Sequence, residues 1–272
     1  MLGARVATAL VLLAGFLYAV FGLPAPGWHV LVAVLAAIAA WEWSGLSGGG
    51  SASRFAYVIA TGAAALWSAS TAERGGAGTV LLIAIYALAI AFWLTVAPLW
   101  LRKKWSLRGG VLAALVGWLV LLPPACALVQ LRATGPWLLI AAMALAWVSD
   151  TAAYFVGRAC GRRKLAPSIS PGKTWEGVGG ALAAVLIAGA IALALIPAQA
   201  IPAGLAPWLL LGLVPVTAVG IVGDLFESLL KRQAGVKDSS HLLPGHGGLL
   251  DRIDSLTATL PCIGLASILL LK

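Results

Sequence analysis

The chain has 272 residues, 61% of them hydrophobic and only 10% charged, with a mean hydropathy of +1.01. That balance excludes a soluble globular domain, which could not hide so much apolar surface. The net charge of +9 follows the connections between apolar runs, so it reads as a membrane-topology signal and implies no nucleic-acid partner.

Nine apolar runs approach the roughly 20 residues needed to span a bilayer. They lie near 5–23, 27–46, 55–71, 79–101, 109–131, 136–157, 177–198, 205–230 and 248–271. The expected fold class is therefore all-α, a polytopic integral membrane protein with about nine transmembrane helices. The first run, led by Arg5, resembles a signal peptide but lacks a clear cleavage site and is expected to be retained. Trp28, Trp41, Trp43, Trp105 and Trp137 fall at run ends, as in interfacial aromatic belts. Glu42, between two tryptophans, reads as an interfacial acid.

Fifteen of the eighteen basic residues fall on one side of this arrangement. The positive-inside rule places the N-terminus and the even-numbered connections in the cytoplasm. Cys126, Cys160 and Cys262 are widely spaced, which argues against a disulfide framework or a zinc site.

The two halves differ. Residues 1–135 are expected to form a scaffold of spans with short connections. Residues 136–272 hold seven of the nine acids and are expected to carry the chemistry. Asp150 and Tyr154 share a face near the end of the sixth run. The connection after it contains Ser170-Pro171-Gly172-Lys173-Thr174, followed by Glu176. This is no Walker A loop, because Pro167 stands where that motif needs glycine. A phosphate-contacting loop built from Ser170, Lys173 and Thr174 is the reading retained.

Asp224, Glu227, Ser228 and Lys231 recur at i, i+3, i+4 and i+7, one face of a helix. Asp251, Asp254 and Ser255 do the same at the start of the ninth run. Charge at membrane depth costs roughly 2.5–3.5 kcal/mol per residue and is functional by default. Carboxylates on three spans at similar depth must therefore face one another, and clustered carboxylates call for a cation. Hard oxygen ligands suit Mg²⁺. Asp224 and Asp251 are the metal candidates; Asp150 and Asp254 are read as substrate contacts or as groups around the metal. Lys231, Arg232, Lys237 and Arg252 form a basic rim suited to phosphate. Gly245-His246-Gly247-Gly248 could let backbone N–H groups cradle an anion at a helix start; a plain turn is the alternative. His246 is read as a substrate contact, His241 as a loop residue.

These residues also carry a resemblance. Ser228, Lys231, Arg232, Lys237, Asp238, Pro244, His246, Gly247, Gly248, Asp251, Arg252 and Asp254, with Ser149-Asp150-Thr151 and Ser170–Gly177, resemble the signature of the phosphatidate cytidylyltransferases, or CDP-diacylglycerol synthases. The specific resemblance covers residues 145–260. It implies transfer of CMP from CTP to phosphatidic acid, with release of pyrophosphate and a requirement for Mg²⁺. It also implies a second cation such as K⁺, a homodimer in the bacterial inner membrane, and Asp224 and Asp251 as metal ligands. Asp224, Asp251, Lys231, Arg252 and Asp254 are expected to be catalytic. Asp150, Ser170, Lys173, Thr174, Glu176, Ser228, Arg232, Lys237, His246, Gly247 and Gly248 are expected to bind substrate. A polytopic transporter and a lipid kinase are the rival readings.

Overall fold

With no water in the hydrocarbon layer, each apolar run must satisfy its own backbone, and a helix is how a single segment does so. The computed structural model describes residues 2–72, 76–196, 204–243, 245 and 247–270. Among them nine long helices follow in order: α1 (Leu2–Gly22), α2 (Ala25–Leu46), α3 (Ser51–Ala72), α4 (Ala77–Lys103), α5 (Gly110–Thr134), α6 (Pro136–Cys160), α7 (Trp175–Leu195), α8 (Leu205–Gln233) and α9 (Leu250–Leu270). Seven of these, α2 and α4–α9, are long and apolar enough to cross a membrane. α3 reaches 22 residues but carries Arg54 and several hydroxyl side chains. Glu73, Arg74, Pro244, His246 and Lys272 lie outside the described residues.

One departure from the all-helical expectation lies between α6 and α7. Residues Lys164–Ala166 (β1) pair antiparallel with Ser170–Thr174 (β2), with Lys164 opposite Thr174 and Ala166 opposite Ser170. Pro171 is tolerated because both strands of a two-stranded sheet are edges. Ile169, at the hairpin turn, is buried in the core cluster that holds Trp43, Leu229 and Leu250.

α9 is the central strut, packing on α4, α5, α6 and α8. Small residues set its distance from α8. A Cβ on Gly223 would stand 2.8 Å from the backbone oxygen of Asp254, so only glycine lets the two backbones meet there. That close approach brings Asp224 and Asp254 to the same level. Both buried clusters mix residues from the two halves, for example Trp93 and Phe226 in one, and Tyr86 and Leu260 in the other. The division at residue 135 is thus not one between separate cores.

Within α4, residues Phe92–Val96 form a π-helical turn just before Pro98. Proline has no N–H to give and crowds the preceding turn, so the helix widens there. The widened turn aims Phe92 and Trp93 at Phe226, with ring centroids 5.6 Å away in each case.

The four connections expected to be cytoplasmic meet at one end of the bundle. Gly109 N–H donates to Ser47 O at 2.5 Å. The Gln233 amide donates to the carbonyls of Lys104 and Trp105. Arg232 reaches Ile169 O at 3.5 Å. At the other end, Arg132 of α5 donates to Val20 O at 2.8 Å.

Candidate active site

Where α6, α8 and α9 meet at that shared end, three carboxylates converge. Asp150 of α6 is exposed and accepts from Ser255 Oγ at 3.0 Å. Asp224 of α8 is half-buried and paired with Lys173 of β2; Ser228 Oγ lies 3.4 Å from its other oxygen. Asp254 of α9 accepts from Ser255 N–H at 2.8 Å. It lies within electrostatic range of Asp224, Asp150 and Lys173. Three carboxyl groups thus face one ammonium. Since an exposed aspartate on a membrane helix cannot face lipid, the space between these helices is a polar cleft.

Beside this cleft lies a second nest. Lys231 is 9% exposed. Its Nζ stands 2.5 Å from Asp251 Oδ1 and 3.1 Å from Glu227 Oε1. Asp251 Oδ2 accepts from Ser239 N–H at 2.8 Å, Ser239 Oγ at 2.9 Å and Gly248 N–H at 2.8 Å. Glu227 is 5% exposed; its Oε1 is paired with Lys231, and its Oε2 has no hydrogen-bond donor among the described residues. A buried carboxylate oxygen without a donor is expensive.

The donor set fits a hard divalent cation. Among the described residues no three acidic, imidazole or thiol side chains close on one point. Mg²⁺ does not need that, because it takes one or two carboxylates and completes its shell with water and substrate phosphate. The carboxyl groups gathered around Asp224 and the unpartnered Oε2 of Glu227 are what such a cation would answer. Asp224 already holds a cation in the form of the Lys173 ammonium, as Asp251 holds Lys231.

The sequence profile described as "Cytidylyltransferase family" matches residues 3–269. The chain belongs to the cytidylyltransferase family. It is 45% identical to "Phosphatidate cytidylyltransferase" of Pseudomonas aeruginosa, over 96% of this chain and 95% of that one. It is 35% identical to the protein of the same name from Haemophilus influenzae, over 96% of each chain. A third of that name, from Staphylococcus saprophyticus, is 42% identical over 51% of this chain and 52% of its own.

In this cytidylyltransferase the expected site residues fall in several places. Asp150, Lys173, Asp224, Ser228 and Asp254 line the cleft; Lys231 and Asp251 form the adjoining nest. Ser170 is half-buried in β2, and Arg232, Lys237 and Arg252 are exposed. Thr174 and Glu176 are spent on local structure. Thr174 is buried and caps α7 by accepting from Gly177 N–H at 3.1 Å. Glu176 accepts from the N–H groups of Arg162 and Arg163, at 3.0 and 3.1 Å through Oε2. Both side chains hold the hairpin against the start of α7. His246 lies outside the described residues.

Among the described residues, the amides at the start of α9 are taken up by protein carboxylates. Gly248 N–H donates to Asp251; Leu249 and Leu250 N–H donate to Glu42 Oε1 and Oε2 at 2.9 and 2.7 Å. A Cβ on Gly248 would stand 2.6 Å from Glu42 Oε1. Gly247 is at φ +81, and a Cβ there would meet Asp251 Oδ2 at 2.8 Å. These glycines let the loop close on two carboxylates. Glu42 itself is 2% exposed, not interfacial. Its partners lie some two hundred residues away in sequence, so no local spacing could reveal it.

Proposed function

We propose that this chain transfers CMP from CTP to phosphatidic acid, giving CDP-diacylglycerol and pyrophosphate. The observation that carries the reading is the set of three carboxylates facing one lysine in a polar cleft at the end of α6, α8 and α9. The family membership and the named relatives support the same reaction.

The chemistry asks little of a general base. A phosphate monoester has a second pKa of about 6 and is largely dianionic near neutrality. One of its oxygens attacks the α-phosphorus of CTP, the bond to the β,γ-diphosphate breaks, and pyrophosphate leaves with the bonding electron pair. No proton need move. The barrier lies in bringing anions together and stabilising the leaving group. Exposed Lys237, Arg232 and Arg252 are suited to hold phosphate oxygens, the arginines by two-pronged contacts. Lys173 is suited to move from Asp224 to a phosphate once a cation takes its place.

Mg²⁺ at Asp224, beside Asp150 and Asp254, would supply positive charge for the reacting phosphates. At Asp251 a cation would reach Oδ1 only where the Lys231 ammonium now stands. Glu227, on the same ammonium, keeps Oε2 without a donor among the described residues. The basic loops support a cleft that faces the cytoplasm from the bacterial inner membrane, where CTP is available.

The test is pyrophosphate release by the purified protein with CTP, Mg²⁺ and phosphatidic acid, omitting each in turn. The expected result is release that needs all three, with an equal amount of CDP-lipid. Release of a nucleoside diphosphate instead would mean γ-phosphoryl transfer and would overturn the reading.

A further inference from the structure

Glu42 belongs to the half of the chain that carries none of the signature residues, yet its carboxylate takes four donors from the signature segment. Oε1 accepts from Leu249 N–H at 2.9 Å and Ser240 Oγ at 2.6 Å; Oε2 accepts from Leu250 N–H at 2.7 Å and Ser239 Oγ at 3.1 Å. The first N–H groups of a helix have no partner within it and are ordinarily satisfied by a residue at the helix start. Here a different helix supplies the acceptor. A carboxylate at that end also gains from the helix dipole. Ser239 is shared, since its Oγ also lies 2.9 Å from Asp251 Oδ2. Glu42 and Asp251 therefore grip three consecutive amides, 248 to 250, and one common serine.

We infer that Glu42 is a positioning residue for the transfer reaction. From α2 it fixes the start of α9, and through it the directions of Asp251, Arg252 and Asp254. It also fixes the loop that presents Lys237. Buried and with both oxygens accepting, it keeps the α9 N-terminus closed to phosphate, so that substrate anions are left to side chains and cation.

The kinetic arm of this inference rests on the cytidylyltransferase reading; the exchange arm does not. Glu42→Gln keeps the shape but turns an N–H₂ group towards donors. Its kcat is expected to fall about 10–100-fold, as for groups that orient a metal or catalytic site, with the KM for phosphatidic acid unchanged. Amide hydrogen exchange is expected to quicken at Leu249 and Leu250 and not along α5 or α6. Ser240→Ala, which removes one donor and leaves the cap, is expected to move both readouts the same way and less. Wild-type kcat in Glu42→Gln would overturn the inference. So would exchange that quickens along all helices alike, which marks a general structural role. If the wild type itself makes no CDP-lipid, the activity reading fails, and localised exchange in Glu42→Gln still supports the clamp.

Discussion

Asp224 is the residue on which the proposed chemistry turns. It is half-buried, paired with Lys173, and faced by two further carboxylates. Asp224→Asn removes the charge that a cation would meet while keeping the shape. Turnover is expected to fall at least about 100-fold, the scale of losing one electrostatic contact to a transition state, with helicity by circular dichroism unchanged. Turnover within a few-fold of wild type would remove Asp224 from the mechanism. Lys173→Ala is expected to raise the KM for CTP by roughly tenfold, about 1.4 kcal/mol, and to alter the lipid KM less; equal effects on both would place Lys173 away from the nucleotide. Acids at helical spacing near the ends of apolar runs marked Asp150, Asp224, Asp251 and Asp254 as candidates, but the spacing did not show that Asp251 turns to Lys231 while Asp254 faces Asp224. Glu42 was not. A single acid between Trp41 and Trp43 has no periodic partner, and its donors arrive from residues 239–250 only once the bundle has folded.

At the scale of elements, the site depends on how closely α8 meets α9. Gly223→Leu would force a side chain against the Asp254 backbone. Such overpacking costs typically about 1–3 kcal/mol. The expected outcome is a lower midpoint in thermal unfolding and a larger loss of turnover, because Asp224 and Asp254 separate. Unchanged turnover with normal stability would show that the helices can part without harm to the site. The helices themselves were readable, since long apolar runs must be helical in lipid. The β-hairpin was not. β1 spans only Lys164–Ala166, too short for a period-2 pattern to register, and the prolines at 167 and 171 read as a loop. What decides the hairpin is tertiary: Ile169 is drawn into the core and Glu176 holds the preceding turn.

For the whole molecule, orientation follows from basic residues gathered at one end of the bundle. Cys160, at that end of α6, is exposed; Cys126 is buried and Cys262 half-buried. A membrane-impermeant thiol reagent is expected to label Cys160 in inside-out vesicles and not in right-side-out ones. The opposite pattern would invert the topology. The bundle was legible as a membrane protein from composition alone. Its unity across residue 135 was not, because hydropathy shows which segments are apolar and says nothing of which ones touch.

The measurement closest to the central claim follows the phosphorus atoms of CTP. Purified protein is given phosphatidic acid, Mg²⁺ and CTP labelled at either the α- or the γ-phosphorus, and the lipid is extracted. Label from the α-phosphorus is expected in the lipid and label from the γ-phosphorus in pyrophosphate, with both transfers lost in Asp224→Asn. Label from the γ-phosphorus in the lipid would contradict CMP transfer, and no label in the lipid from either position would contradict an enzymatic role for this cleft.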